Sequence, residues 1–187
     1  SRANILVTGA TGSGKSSLVA TLASASAASE RVVIIEDTHE LVIDHEHCVR
    51  LESRQATSEG RGLVSLDDLL RAALRLRPDR IVVGEVRGFE ALTLVQAMST
   101  GHRRCLATVH ANSVLEGLDR LDVLTMQAAS GWTLEDARHL VDSALDLVVH
   151  THRTTNGRRV ISHVASIDCH TGTRQILHRF DERTTCA

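Results

Sequence analysis

Short β-branched runs alternate along this chain with longer stretches in which apolar residues recur at helical spacing. That alternation predicts an α/β core with a mostly parallel sheet covered on both faces. The apolar runs place strands at 4–8, 31–36, 48–51, 80–84 and 106–110, and the periodic stretches place helices at about 15–25, 65–76, 88–99, 113–126 and 133–143. Two helix starts are written in side-chain chemistry: Ser65 stands ahead of Asp67 and Asp68, and Thr133 ahead of Glu135 and Asp136. Each pairs an N-cap hydroxyl with acids that suit the positive end of a helix.

After Asp146 the pattern changes. Segments 147–152 and 159–167 read as strands separated by Thr154-Thr155-Asn156-Gly157, where Asn-Gly signals a tight hairpin, and 173–180 adds a third strand. The expected organisation is a core over 1–146 and a small antiparallel, β-rich C-terminal appendage of the same domain over 147–187. With 187 residues and 42% hydrophobic content, the chain can bury one sizeable core.

Candidate chemistry begins directly behind the first strand. Gly9, Ala10, Thr11, Gly12, Ser13, Gly14, Lys15 and Ser16 fit the pattern G-x-x-x-x-G-K-[ST] and follow Ile5-Leu6-Val7. Glycines suit a loop that must wrap phosphates with backbone N–H groups at distances a Cβ would block. Lys15 adds a point charge for the β- and γ-phosphates, Ser16 a hydroxyl for Mg²⁺, and the following helix its positive dipole end. The expected ligand is a nucleoside triphosphate. Phosphoryl transfer also needs a carboxylate to hold metal and a group to orient water. Two strands end in acids: 31–35 runs into Glu36-Asp37 with Glu40 just beyond, and 80–84 runs into Glu85, followed by Val86-Arg87-Gly88. A third, 106–109, runs into His110, with Asn112 or Ser113 placed to cap the next helix.

Charge and composition narrow the classes. Lys plus Arg number 21 against 23 Asp plus Glu, so no global basic field would hold nucleic acid. Tyr is absent and the aromatic residues are Phe89, Trp132 and Phe180, too few for a base-stacking platform. Direct nucleic-acid binding is therefore not expected. No apolar stretch is long enough to span a membrane, and a first strand at residue 4 leaves no room for a signal peptide, which predicts a cytosolic chain. Cys48, Cys105, Cys169 and Cys186 are scattered as reduced thiols would be. The pairs His45/His47 and His150/His152 are a weak metal signal without further ligands.

Four blocks carry a family resemblance: residues 9–16, 35–41, 76–88 and 100–113. Their order and spacing resemble the Walker A, Asp box, Walker B and His box of the type II/type IV secretion ATPases, over about residues 2–168. Within that superfamily the chain is most similar to the assembly ATPases of tight-adherence (Flp-type) pili, through Arg50-Leu51-Glu52-Ser53-Arg54, Glu59-Gly60-Arg61-Gly62 and Arg77-Pro78-Asp79-Arg80. Conjugation ATPases resemble the Walker B and His-box stretches and differ most before Ser65.

The resemblance implies a RecA-like P-loop NTPase core that binds ATP and Mg²⁺. It implies nucleotide contacts from the eight loop residues, Ser17 and Arg87, and metal contacts from Ser16 and Glu85. Glu36 is the implied general base, Glu85 holds Mg²⁺ through water, and His110 senses the γ-phosphate; either glutamate is a candidate to polarise water. Arg87, with Arg77 or Arg80, is the local candidate for charge stabilisation or subunit contacts. The family further implies a homo-hexamer of the full-length protein, cytoplasmic and peripheral to the inner membrane, working beneath an inner-membrane platform protein. A conjugative or type IV secretion ATPase is the alternative, and a non-hydrolysing regulatory module a second. Two departures stand out. Arg103-Arg104-Cys105 brings two positive charges between His102 and His110, expected near the nucleotide-facing end, and the N-terminal domain of the family is expected to be missing ahead of the first strand.

Overall fold

The computed structural model describes residues 2–168 and 171–180. Uninterrupted β-branched runs become strands buried on both faces, as in β2 (Val32–Glu36), where every residue is buried. Along the chain β1 (Ile5–Gly9) leads to α1 (Lys15–Ser24), β2, β3 (Cys48–Glu52) and α2 (Leu66–Ala73), which tightens into a 3₁₀ turn at Leu74–Leu76. Then come β4 (Arg80–Val83), α3 (Glu90–Ser99), β5 (Leu106–His110), α4 (Val114–Ala128) and α5 (Leu134–Ala144). The chain closes with β6 (Leu147–Arg153), β7 (Arg159–Asp168) and β8 (Thr173–Arg179).

These strands form one sheet in the order β3-β2-β4-β5-β1-β6-β7-β8. Because successive side chains point to opposite faces, neighbouring residues feed different cores. Leu6, Val33, Ile35 and Val83 pack with α2 through α5, whereas Val7, Ile34 and Val82 pack with Val19 and Ala23 of α1. The expected caps are present: Ser65 and Thr133 each form a reciprocal capping box with the acid three residues on. At α4 the cap is Ser113, whose hydroxyl accepts the Glu116 N–H at 3.1 Å.

One expectation is corrected. The strand expected at 147–152 and assigned to an antiparallel appendage is β6, which pairs in parallel with β1 as well as antiparallel with β7. Its run Leu147-Val148-Val149 is apolar on both faces, the signature of a central parallel strand. Asn4 draws it in, donating from its backbone N–H to Asp146 at 2.7 Å and from its side chain to the Ala144 carbonyl at 2.9 Å. The antiparallel part is thus β7 and β8. The β6–β7 turn closes at Thr154, whose N–H donates to Arg158 O at 2.8 Å, with Gly157 at φ +85° as Asn-Gly requires. Among the described residues no helix is long and apolar enough to cross a membrane.

Candidate active site

The loop between β1 and α1 is built by close approach. A Cβ on Gly9 would lie 2.4 Å from Ser13 Oγ and 2.5 Å from Thr151 Oγ1, so only glycine fits there. Gly14 stands at φ +104° as the N-cap of α1. The loop is laced to the strand beside it: Ser13 Oγ and Thr151 Oγ1 share a hydrogen bond at 2.8 Å, and Thr151 Oγ1 also donates to Thr8 O at 3.2 Å. Thr8 Oγ1 in turn bonds His150 Nδ1 at 2.8 Å. Lys15 curls back into the loop, its Nζ donating to Gly9 O at 2.9 Å and Ala10 O at 3.2 Å. Burial lowers its pKa and the nearby Glu85 charge partly restores it.

A cleft of about 420 Å³ opens beside this loop. It is lined by Thr11, Gly12, Lys15 and Ser16 of the loop, residues of the 36–41 segment, Gly84, Glu85 and Arg87 behind β4, Thr108 and His110 of β5, and Arg120 of α4. All but Arg120 come from the C-terminal edge of parallel strands or the loop there, where open α/β sheets bind ligands. A larger hollow of about 890 Å³ lies along α5 against Thr171 and Gly172, remote from these convergent polar groups.

Glu36 is 4% exposed and organises the segment after it. Its Oε1 accepts the N–H groups of Leu41 at 2.7 Å and Glu40 at 3.0 Å, while Oε2 faces His39 Nδ1 at 3.4 Å and Arg50 Nη1 at 3.9 Å. Glu85 is bonded to the guanidinium of Arg87, which also stands 3.7 Å from Asp37. That bond to Glu85 raises the Arg87 pKa further. The turn carrying both is fixed from two sides: Thr108 Oγ1 donates to Gly84 O at 2.6 Å, and the buried Glu90 accepts the N–H groups of Arg87 at 2.6 Å and Gly88 at 2.9 Å. His110 is register partner to Gly9, which brings the end of β5 against the start of the loop.

Lys15, Ser16, Glu36, Glu85, Arg87 and His110 therefore meet in one cleft. Gly9 and Ala10 supply carbonyls to Lys15, Ser13 is buried against β6, and Ser17 is exposed and faces an adjoining groove along α1. Two placements at the nucleotide-facing end fail on strand direction, that of Arg103-Arg104 and that of Arg77 or Arg80 as charge stabiliser. Arg80 begins β4 and Arg103 and Arg104 precede β5, so all three lie at the end of the sheet remote from the phosphate loop. There Arg80 and Arg104 pair with Glu30, and Arg103 stands 3.5 Å from Asp146. Arg77 is left-handed at φ +54°, just ahead of β4 at the same end. Of the arginines considered, Arg87 alone reaches the cleft. His45 and His47 fall outside any strand, and of the second pair His150 is buried and His152 exposed.

Arg120, Thr108, Thr151 and Arg159 are not singled out by the sequence. The first could be found from its place two turns into the helix after His110; the others act through contacts between strands, which local pattern does not encode.

A family model described as type II/IV secretion system protein matches residues 1–182. Conjugal transfer protein TrbB of Rhizobium radiobacter is 41% identical over 164 residues, covering 86% of this chain and 47% of that one. The VirB11 ATPase of the Brucella suis type IV secretion system, solved in complex with sulphate, aligns with a TM-score of 0.78 at 33% identity over 88% of this chain and 48% of its own. The pilus retraction motor PilT with bound ADP aligns at 0.63 and 28% identity, over 97% and 49%. The chain thus spans about half the length of the relatives it matches.

Proposed function

We propose that this chain, which belongs to the type II/IV secretion system protein family, binds ATP in the cleft beside its phosphate loop and hydrolyses it to drive a secretion or pilus machine. One observation carries the reading: Lys15, Glu36, Glu85 and His110, from four separate stretches of sequence, converge on one cleft at the sheet's C-terminal edge. Lys15 leaves the Gly9 and Ala10 carbonyls for the β- and γ-phosphates. Glu36, held by two N–H groups on Oε1, keeps Oε2 to take a proton from the attacking water. His110 contacts the γ-phosphate. Glu85, bonded to Arg87 here, is a carboxylate that would hold Mg²⁺ through water once that bond opens, and Arg87 would then turn toward the phosphates.

The donor chemistry of the cleft suits Mg²⁺: the Ser16 hydroxyl and the carboxylates of Glu85, Asp37 and Glu40 are all hard oxygens. Bound there, Mg²⁺ would neutralise phosphate charge.

The machine is the finer question. The segments at 50–54 and 59–62 favour assembly of a tight-adherence pilus, whereas the identity to a conjugal transfer protein and the likeness to VirB11 favour a type IV secretion or conjugation motor. Neighbouring pilin and prepilin-peptidase genes would support the first, and a relaxase with mating-pore genes the second. In either case the working protein is a cytoplasmic hexamer peripheral to the inner membrane, docked on a platform protein, with the remainder of the protein closing over the nucleotide.

Lys15→Ala in the whole protein tests the reading. Binding of a fluorescent ATP analogue and phosphate release should both be lost while the circular-dichroism melt is unchanged; near-wild-type binding by a folded variant would overturn it. Wild-type binding without turnover would support a regulatory module instead.

A further inference from the structure

Arginine stands at the start of four neighbouring strands. In the run β2-β4-β5-β1, which is parallel throughout, Arg31 immediately precedes β2, Arg80 opens β4, Arg103 and Arg104 precede β5, and Arg2 lies just ahead of β1. Parallel strands begin at a common edge and neighbours lie about 4.8 Å apart, so the row extends roughly 14 Å along the edge opposite the phosphate loop. Arg75 and Arg77 join it, because Arg31 Nη1 donates to the Leu76 carbonyl between them at 2.7 Å.

The acids of this edge are already engaged. Glu30 stands 3.6 Å from Arg80 and also bonds Arg104, Asp79 Oδ2 accepts the Arg31 N–H at 2.8 Å, and Asp146 accepts the Asn4 N–H and stands 3.5 Å from Arg103. Arg2, Arg75 and Arg77 are exposed and have no hydrogen bond or ion pair among the described residues. Arg77 is the most telling of the three. Its φ of +54° is left-handed, unusual for a residue with a Cβ, and it precedes Pro78, a position that favours extended backbone. Glycine would make the same turn without strain. Arginine there keeps a strained backbone beneath a cation that its own chain does not use.

The chemistry of the row selects carboxylates. Lys15 is the one lysine of the chain, so these side chains are all guanidinium groups, planar forks that hold a carboxylate by two N–H groups at once. None of the exposed large apolar side chains falls in 2–4, 26–31, 74–80 or 101–105, so these segments offer nothing to enter acyl chains. They hold no Phe, Trp or Tyr on which bases would stack.

We propose that this arginine edge docks an extended segment of a partner protein rich in Asp and Glu. Arg75 and Arg77 make the exposed contacts, and the row along the strand starts supplies the field that draws the segment in. The contact lies at the end of the sheet remote from the cleft, so it stands independently of nucleotide turnover.

The test follows the fluorescence anisotropy of labelled poly-L-glutamate titrated with the whole protein. Wild type should bind, and added salt should weaken the complex by screening exposed pairs. Arg75→Ala/Arg77→Gly should weaken binding by about 2- to 30-fold, the combined scale of two exposed ion pairs. Its thermal midpoint should stay close to wild type, because glycine fits the left-handed turn. Arg153→Ala/Arg158→Ala, which removes as much charge from the hairpin at the opposite edge, should match wild type. No binding by wild type, or equal losses in the two double variants, would overturn the proposal. So would tighter binding to phosphatidylglycerol vesicles or to a single-stranded oligonucleotide that is lost in Arg75→Ala/Arg77→Gly, which would make the edge a membrane or nucleic-acid surface.

Discussion

The backbone N–H of Leu41 donates to Oε1 of Glu36 at 2.7 Å, so the residue proposed as general base also holds the segment that follows it. Those two duties separate by substitution. Glu36→Gln keeps a carbonyl oxygen for the two N–H groups and should melt as wild type while phosphate release falls about 10²-fold or more, the scale of a lost general base. Glu36→Ala should lose turnover and also lower the melting temperature. A fully active Glu36→Gln would remove the assignment.

Glu85 is bonded to Arg87, and in the role proposed for it would give that bond up to hold Mg²⁺ through water. Glu85→Gln should bind ATP, lose turnover by roughly 10²-fold, and require more Mg²⁺ for what remains. Magnesium titrations of phosphate release on the two glutamine variants check this. If the Mg²⁺ requirement rises in Glu36→Gln and not in Glu85→Gln, the two roles are exchanged.

Asp122 is buried between α4, α5 and β8, with Arg138 Nε at 3.2 Å and Arg174 Nη2 at 3.3 Å. Burial pushes its pKa up and Arg174 is the first cause that pulls it back. Arg174 also pairs with Asp142 at 2.9 Å, so Arg174→Ala leaves two carboxylates short of a partner. The expected cost is on the order of 2–4 kcal/mol, read as roughly 5–15 °C in the thermal midpoint. A shift within 1 °C would mean that Arg138 alone suffices.

Burial lowers the pKa of His150, and the neighbouring His163 and His152 lower it further; burial likewise lowers that of His163. A histidine depressed in the folded state contributes stability above its unfolded pKa, and that contribution is lost as pH falls through the folded value. Thermal midpoints should therefore decline from pH 7.5 to pH 5.5, and His150→Gln should flatten the slope. An unchanged slope would show that His150 carries no such linkage.

The Cys105 thiol is fully buried and its pKa is pushed up to about 12 by desolvation. Iodoacetamide at pH 8 should leave it unmodified in the native protein and alkylate it in urea, as peptide mapping by mass spectrometry would show. Rapid native labelling would mean that the base of β5 opens.

The elements could be read nearly residue for residue because the deciding signals are local: β-branched runs for β2 and β4, capping boxes at Ser65 and Thr133, Asn156-Gly157 for the turn. The acids of the cleft were legible for the same reason, since residues that follow parallel strands share an edge. The errors concern what local pattern omits. Arg80 and Arg104 lie close in sequence to Glu85 and His110, yet Arg80 begins β4 and Arg104 precedes β5, so both sit a strand length away. The parallel pairing of β6 with β1 joins residues more than 140 positions apart through Asn4; the apolar run Leu147-Val148-Val149 marks a central strand, but nothing within it names β1 as the neighbour.

Thr151 touches both Ser13 and the carbonyl of Thr8, and it sits on a strand continuous with the tail hairpin. Mechanically, the start of the phosphate loop is held on both flanks, by the Ala111 N–H on Gly9 O at 3.3 Å beside β5 and by the Thr151 hydroxyl beside β6. The 37–41 segment hangs on the carboxylate of Glu36 through two N–H groups, whereas the Arg87 turn is fixed from two sides by Thr108 and Glu90. The Thr151 hydroxyl thus couples the phosphate loop to the strand that carries the tail hairpin, so a shift of the loop is passed to β6 and on to β7.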